Sequence, residues 1–167
     1  MKATRAALRV GLRLAVPADL PAIEQLQQDA YARNREILGV EPLPLQADYR
    51  AVMRDHVVWL AHELDSPEEH LAGVLVIAPQ ADALLIWSIA TAPLAQGMGV
   101  ARQLLTLAER IAEKSGLSRL TLYTGEKLEQ NIAWYMRQGF VVARREELAD
   151  RVIVHMEKTL ASAVIEE

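Results

Sequence analysis

The chain has 167 residues, 51% of them hydrophobic and 24% charged, which suits a single domain with a real core and is too apolar for a disordered chain. Eighteen Lys plus Arg against twenty-two Asp plus Glu leave a formal net charge of −4, so no overall positive field exists to hold a polyanion, and nucleic acid is not an expected partner. The lack of cysteine rules out a disulfide framework, a thiol nucleophile and a thiolate zinc site, and it agrees with a reducing, cytoplasmic location.

Lys2, Arg5, Arg9 and Arg13 among Ala and Leu have the flavour of a targeting peptide, but they interrupt every apolar stretch a secretion signal would need. The alternation Leu8, Val10, Leu12, Leu14, Val16 against Arg9, Gly11, Arg13 predicts a half-buried strand instead. Asp19 is placed to cap a helix running to about Arg35, with Ile23, Leu26, Ala30 and Tyr31 at helical spacing. A loop with Gly39, Pro42 and Pro44 and a helical stretch Gln46 to Asp55 form a candidate lid. Val57 to Ala61 and Leu71 to Ala78 predict a hairpin around the acidic turn Asp65 to Glu69. Leu84 to Thr91 carries no charge and predicts a central strand covered on both faces, ended by Pro93. The apolar stretch Ala83 to Ala95 is too short and too broken to span a bilayer, so no membrane association is expected.

A helix from about Gly99 to Ser115 follows, with Ala101, Leu104, Leu105, Ala108, Ile111 and Ala112 on one stripe. It makes the next strand, Arg119 to Thr124, parallel to Leu84 to Thr91 through a right-handed crossover. Glu129 to Gln138 predicts a short helix stopped by Gly139. Phe140 to Ala143 and Val152 to Met156 predict the last two strands. The order defines a mixed α/β sheet of about seven strands in one domain, residues 1–167, with its core between about 12 and 160. If Val152 to Met156 lies at a sheet edge it is available to pair with a second chain, which leaves a homodimer open.

The segment Gln96-Gly97-Met98-Gly99-Val100-Ala101 lies between a buried strand and an amphipathic helix. Glycines let the backbone approach a ligand closely, and the unpaired amides and dipole of a helix start attract phosphoryl oxygens. A tight turn that needs glycine for its backbone angles alone is the alternative. A Walker loop is excluded because no Gly-Lys-Ser/Thr follows, and the dinucleotide fingerprint fails because its third glycine would fall at Arg102.

The run Ile89-Ala90-Thr91-Ala92-Pro93-Leu94-Ala95-Gln96-Gly97-Met98-Gly99-Val100-Ala101 resembles the acetyl-CoA-binding signature of the GNAT superfamily of N-acetyltransferases. Downstream, Glu129 to Phe140, with Asn131 and the pattern Tyr135-x-x-x-Gly139-Phe140, resembles that superfamily's short helix and following strand. The resemblance spans nearly the whole chain and implies a GNAT-like acyl-CoA N-acyltransferase fold, with helices on both faces of the sheet. It also implies acetyl-CoA as cosubstrate, its pantetheine arm bonding to main-chain groups at Ile89, Ala90 and Thr91. The diphosphate would rest on Gln96 and the amides of Gly97, Met98, Gly99, Val100, Ala101 and Arg102. Main-chain donors near Ile89 would face the oxyanion.

The resemblance places Tyr135 where such enzymes often protonate the departing CoA sulfur, a task suited to a phenol with pKa near 10; packing beside Trp134 is its alternative. Asn131, one turn earlier on the same face, would bond to the CoA arm or serve only the helix start. The family often has a second Asn where this chain has Leu128. Many relatives also carry a Glu where this chain has Trp87, and the strand from Leu84 to Thr91 has no acid. The general base must then lie elsewhere. Neutralising an alkylammonium at pH 7 costs about 4 to 5 kcal/mol, and an α-amine only about 1, which tilts the expected acceptor toward an α-amine or toward relay through water. Glu36, Glu41 and Asp48 in the lid either attract a cationic acceptor or form a solvated surface.

His56, His62, His70 and His155 lack ligand spacing and are expected at the surface or edges, so no metal is expected. Trp59 and Trp87 read as core, Trp87 also as a wall of the acceptor pocket. The expected partner is a small-molecule or peptide amine. Two alternatives remain: a non-catalytic acyl-CoA-binding sensor, which the missing Glu keeps open, and dinucleotide binding, which Arg102 disfavours.

Overall fold

Apolar alternation produces seven strands among the described residues: β1 (Val10–Leu14), β2 (Val57–Glu63), β3 (Leu71–Pro79), β4 (Ala83–Thr91), β5 (Arg119–Gly125), β6 (Val141–Glu147) and β7 (Val152–Thr159). They form one sheet in the order β1-β2-β3-β4-β5-β7-β6, antiparallel except for the parallel pair β4–β5. The computed structural model describes residues 6–68 and 70–161, so Lys2, Arg5 and Glu69 lie outside the described residues.

Among the described residues four α-helices cover the sheet: α1 (Leu20–Leu38), α2 (Tyr49–Asp55), α3 (Val100–Lys114) and α4 (Glu129–Arg137). In β3, Val74 and Val76 pack into a core with Ile23, Leu26, Tyr49 and Val52 of α1 and α2. The alternate residues Leu75 and Ile77 join Leu104, Leu105, Leu120, Phe140 and Met156 on the opposite face. A strand buried on both faces has no room for charge, which is why β3 and β4 are uncharged throughout. Each fully buried Leu, Ile or Val contributes about 1.5–3 kcal/mol by leaving water. Among the described residues no helix is long and apolar enough to cross a membrane.

The structure departs from several sequence expectations. Asp19 precedes α1 but does not cap it: its carboxylate accepts the Val16 N–H at 2.8 Å and the Arg13 guanidinium at 2.8 and 2.9 Å. The Arg13 guanidinium holds the Asp19 carboxyl below the usual carboxylate range. Leu8 and Val10 of the expected apolar face pack against the core, while Leu12 and Leu14 stay 38% and 52% exposed, so that face is buried only at its first end. The helix begun at Leu20 runs past Arg35 to Leu38 and stops where Gly39 takes φ +71°. Asp48, instead of lying inside the second helix, caps it by accepting the Arg50 N–H at 2.9 Å.

The last strand is not at an edge. β7 lies between β5 and β6, paired to β5 from Arg119–Thr159 to Gly125–Ile153. The apolar strand takes the inside position, and β6, charged from Arg144 to Glu147, takes the edge, as negative selection against edge-to-edge pairing favours. Any pairing with a second chain on that side would therefore involve β6. Two histidines are also less exposed than expected: the His62 Nδ1 is buried with no partner among the described residues, and His155, half-buried, bonds Glu146 at 3.0 Å.

Gly73 shows how closely α3 seats on the sheet. A Cβ there would stand 2.8 Å from Val100 Cγ1, 2.9 Å from Leu104 Cδ1 and 3.1 Å from the Ala90 carbonyl oxygen. Gly73→Ala must push the first turn of α3 away from β3, and overpacking of this kind costs about 1–3 kcal/mol. The expected result is a fall in Tm of several degrees, at about 2–4 °C per kcal/mol for a chain of this size, read by a thermal melt.

Candidate active site

β4 and β5 pair only at Ala83–Arg119, Leu84–Leu120 and Leu85–Thr121. Beyond Leu85, β4 stays paired to β3 as far as Thr91, and β5 to β7 as far as Gly125. The sheet therefore opens between two strands that each keep their outer partner. Pro93 does not cause this, because it lies well past the point of separation and ends only the pairing of β4 with β3, whose last bond is Ala92 N–H to the Ala72 carbonyl at 2.9 Å.

The cause is a β-bulge. Val76 faces Ser88 while Ile77 faces Ile86, so Trp87 is an extra residue in β4. A bulge bends its strand and shifts the side-chain phase by one. Leu84 and Ile86 accordingly face the α3 core, whereas Ser88 and Ala90, of the same parity, face α1.

The opening is the mouth of a cavity of about 930 Å³. At its β4 wall the chain turns through Gly97 at φ +77° and Gly99 at φ +82° into α3. The Met98 N–H bonds weakly to the Ala95 carbonyl at 3.3 Å, and the first helical bond is Gln103 N–H to the Gly99 carbonyl at 3.1 Å. The amides of Gly97, Gly99, Val100, Ala101 and Arg102 meet no acceptor among the described residues. These donors lie at the positive end of a 15-residue helix, an arrangement that attracts an anion. Ile89, Ala90, Thr91, Gln96, Gly97, Gly99, Val100, Ala101 and Arg102 all line the cavity. Met98 does not; its carbonyl is held by the Leu8 N–H at 3.0 Å.

Asn131 and Tyr135 of α4 also line the cavity. The Tyr135 ring is held edge-to-face between Trp134 at 5.1 Å and Phe140 at 5.6 Å between centroids, and each such pair is worth about 0.5–1.5 kcal/mol. Gly139, at φ +97°, turns the chain so that the Phe140 N–H reaches the Tyr135 carbonyl at 3.1 Å. The Tyr-x-x-x-Gly-Phe pattern is thus a clamp that fixes the direction of the phenol. Burial pushes the Tyr135 phenol above its ordinary value, and the neighbouring Tyr31 adds to the effect.

Several lining residues carried no sequence signal. Ser88 is buried, shares a hydrogen bond with the Tyr31 hydroxyl at 2.9 Å and accepts one from Gln27 Nε2 at 3.3 Å, while Gln27 Oε1 is buried without a partner. Burial pushes the Tyr31 phenol up to about 12, against the Ser88 hydrogen bond. Tyr123 completes this end together with Trp87, which stands on the cavity wall as its sequence reading expected. Trp87 packs edge-on to Tyr49 at 6.1 Å and lies 6.0 Å from His56. Tyr31 had been visible only as part of an apolar stripe, and Arg151 only as part of a polar turn.

The lid contributes through Pro42, Leu43 and Pro44, not through its acids. Glu41 pairs with Arg35 at 3.0 Å and Asp48 caps α2. The carboxylates on the cavity wall are Asp29 and Glu129. Among the described residues no cluster of three or more His, Asp or Glu is placed to hold a metal ion.

The sequence matches the Acetyltransferase (GNAT) family over residues 20–140, and the chain belongs to that family. It is an N-acetyltransferase with the GNAT acyl-CoA N-acyltransferase fold. The fold is similar to the ribosomal-protein-S18-alanine N-acetyltransferase of Escherichia coli, at TM-score 0.75 and 19% identity over 95% of this chain and 99% of that one. It is also similar to the PaiA N-acetyltransferase of Thermoplasma acidophilum solved with coenzyme A, at TM-score 0.71 and 16% identity over 92% and 100%. Nourseothricin acetyltransferase gives TM-score 0.69 and 21% identity over 91% and 99%. No curated protein matches the chain by sequence.

Proposed function

We propose that this protein, as one catalytic domain, transfers the acetyl group of acetyl-CoA to a primary amine of a small molecule or peptide by direct attack on the thioester. One observation carries the reading: a gap between parallel strands, a row of amides that meet no acceptor among the described residues and a half-buried phenol share a single cavity. The pantetheine arm would lie along Ile89 to Thr91, and the diphosphate would meet the amides of Gly97 and Gly99 to Arg102. Asn131 would bond to the arm.

In the reaction the neutral amine nitrogen forms a bond to the thioester carbon, and main-chain donors near Ile89 stabilise the oxyanion. The C–S bond then breaks as the Tyr135 hydroxyl gives its proton to the sulfur. The proton released from the amine returns to Tyr135 through water, so the products are an amide and a free thiol. The raised phenols of Tyr31 and Tyr135 remain protonated at neutral pH, which makes them donors and not bases. Deprotonation of the acceptor then falls to solvent or to the Asp29 and Glu129 carboxylates on the cavity wall, and the less it costs the better, which suits an amine of lower pKa.

Calorimetric titration with acetyl-CoA, followed by free-thiol release over a panel of amines, tests the reading. Binding together with thiol release that depends on the amine supports it. Binding with no such release from any amine leaves a sensor of acyl-CoA.

A further inference from the structure

Arg151 begins the return strand of the β6–β7 hairpin, where its carbonyl accepts the Leu148 N–H at 2.7 Å. Its side chain is only 5% exposed, although that of its neighbour Asp150 is 53% exposed. Burying a guanidinium costs several kcal/mol unless its hydrogens are met. Asp150 meets one edge, with Nε to Oδ1 and Nη2 to Oδ2 both at 3.0 Å. The other edge, formed by Nη1 and the second hydrogen of Nη2, has no acceptor among the described residues. That edge has the fork geometry that takes a carboxylate in a bidentate bond.

The position of Arg151 identifies the group it serves. It lies two residues before Ile153, the partner of Gly125, and so stands on the β5–β7 wall of the opening, across from the amide row on the β4 wall. The Arg151 side chain lines the main cavity and also a smaller recess of about 250 Å³, shared with Glu126, Lys127, Glu147 and Asp150. These acids do not satisfy the open edge: Glu126 is paired with Arg145, Asp150 occupies the opposite edge, and Glu147 makes no hydrogen bond to Arg151 among the described residues. On the main cavity wall, Arg33, Arg102, Lys127 and Arg151 stand against Asp29 and Glu129, a balance that disfavours a polycationic acceptor.

We infer that Arg151 is a specificity determinant that binds a carboxylate of the acceptor, so that the preferred substrate is an amine that also carries a carboxylate, such as an amino acid. The inference rests on the transferase reading above. It is tested by comparing kcat/KM for amino acids with that for the corresponding amides, which keep the amine and lose the anion.

Wild-type protein is expected to prefer the acids by about tenfold or more, the penalty for leaving a buried donor unpaired. Arg151→Gln should erase the preference by raising KM for the acids alone, with KM for acetyl-CoA and turnover of the amides unchanged; Arg151→Lys should keep part of it. Equal use of acids and amides by the wild-type protein overturns the inference without any variant. A rise in KM for acetyl-CoA in Arg151→Gln also overturns it, because the anion would then belong to the cosubstrate. Thiol release that ignores the carboxylate leaves the transferase reading intact, whereas no release with any amine removes both.

Discussion

Tyr135→Phe is expected to lower acceptor-dependent thiol release by about a hundredfold or more, the usual worth of a positioned general acid, while acetyl-CoA binds as before. The variant suits the question because the Tyr135 hydroxyl has no hydrogen-bond partner among the described residues, and the ring keeps its contacts with Trp134 and Phe140. Loss of the oxygen should change stability by no more than about 0.5 kcal/mol, so a drop in rate reads as chemistry. The pH profile supplies a second readout. Because burial raises the phenol above its ordinary value, the acid form persists throughout the neutral range. The rate should rise as the acceptor loses its proton and should not fall below pH about 10. A descending limb near pH 8, or an unchanged rate in Tyr135→Phe, assigns proton donation to another group.

Gly99→Leu is expected to weaken acetyl-CoA binding by about tenfold to a hundredfold, measured by titration calorimetry. Two effects contribute. At φ +82° a side chain adopts an unfavourable backbone conformation, at a cost of about 1–2 kcal/mol. The free protein has nothing within 4 Å of a Cβ at this position, so the new side chain projects into the space the phosphoryl groups need. Gly116 separates the two effects. It has φ +71° with equally open space, but it follows the far end of α3 and is not on the cavity wall. Gly116→Leu should lower Tm by a comparable amount and leave acetyl-CoA affinity unaltered. If both variants lose affinity equally, the Gly99 effect is one of folding and the amide row is not the diphosphate site.

The features legible in the sequence are those that depend on local periodicity and on glycine. The stripe of α3, the apolar run of β4 and the stop at Gly139 follow from side-chain spacing and backbone sterics, and each is found near its expected place. The parallel pairing of β4 with β5 followed from the helix that connects them. What could not be read depends on pairing between distant segments. The bulge at Trp87 exists only in relation to β3, and no residue type announces it. For that reason the sequence marks the end of β4, at Pro93, and not the earlier point after Leu85 where it leaves β5. Likewise an edge position for β7 stayed open in the sequence because its insertion between β5 and β6 is a matter of topology. At the site, Met98 was included because it lies between two glycines, yet its main chain turns to Leu8. Arg151 was passed over because a polar turn gives no hint of which side chain folds inward.

The few bonds that join β4 to β5 have a mechanical consequence. Four antiparallel strands, β1 to β4, form one half of the sheet, and β5, β7 and β6 form the other. Only the narrow end at Ala83 to Leu85 stitches them together along the backbone. The sheet is in this sense a wedge-shaped frame, joined at its apex and open at its wide end. A ligand that bonds to both walls replaces the missing strand-to-strand bonds, and the two halves then unfold as a more cooperative unit. Binding at the opening is therefore expected to raise amide-exchange protection in β5, β7 and β6 as well as beside the ligand.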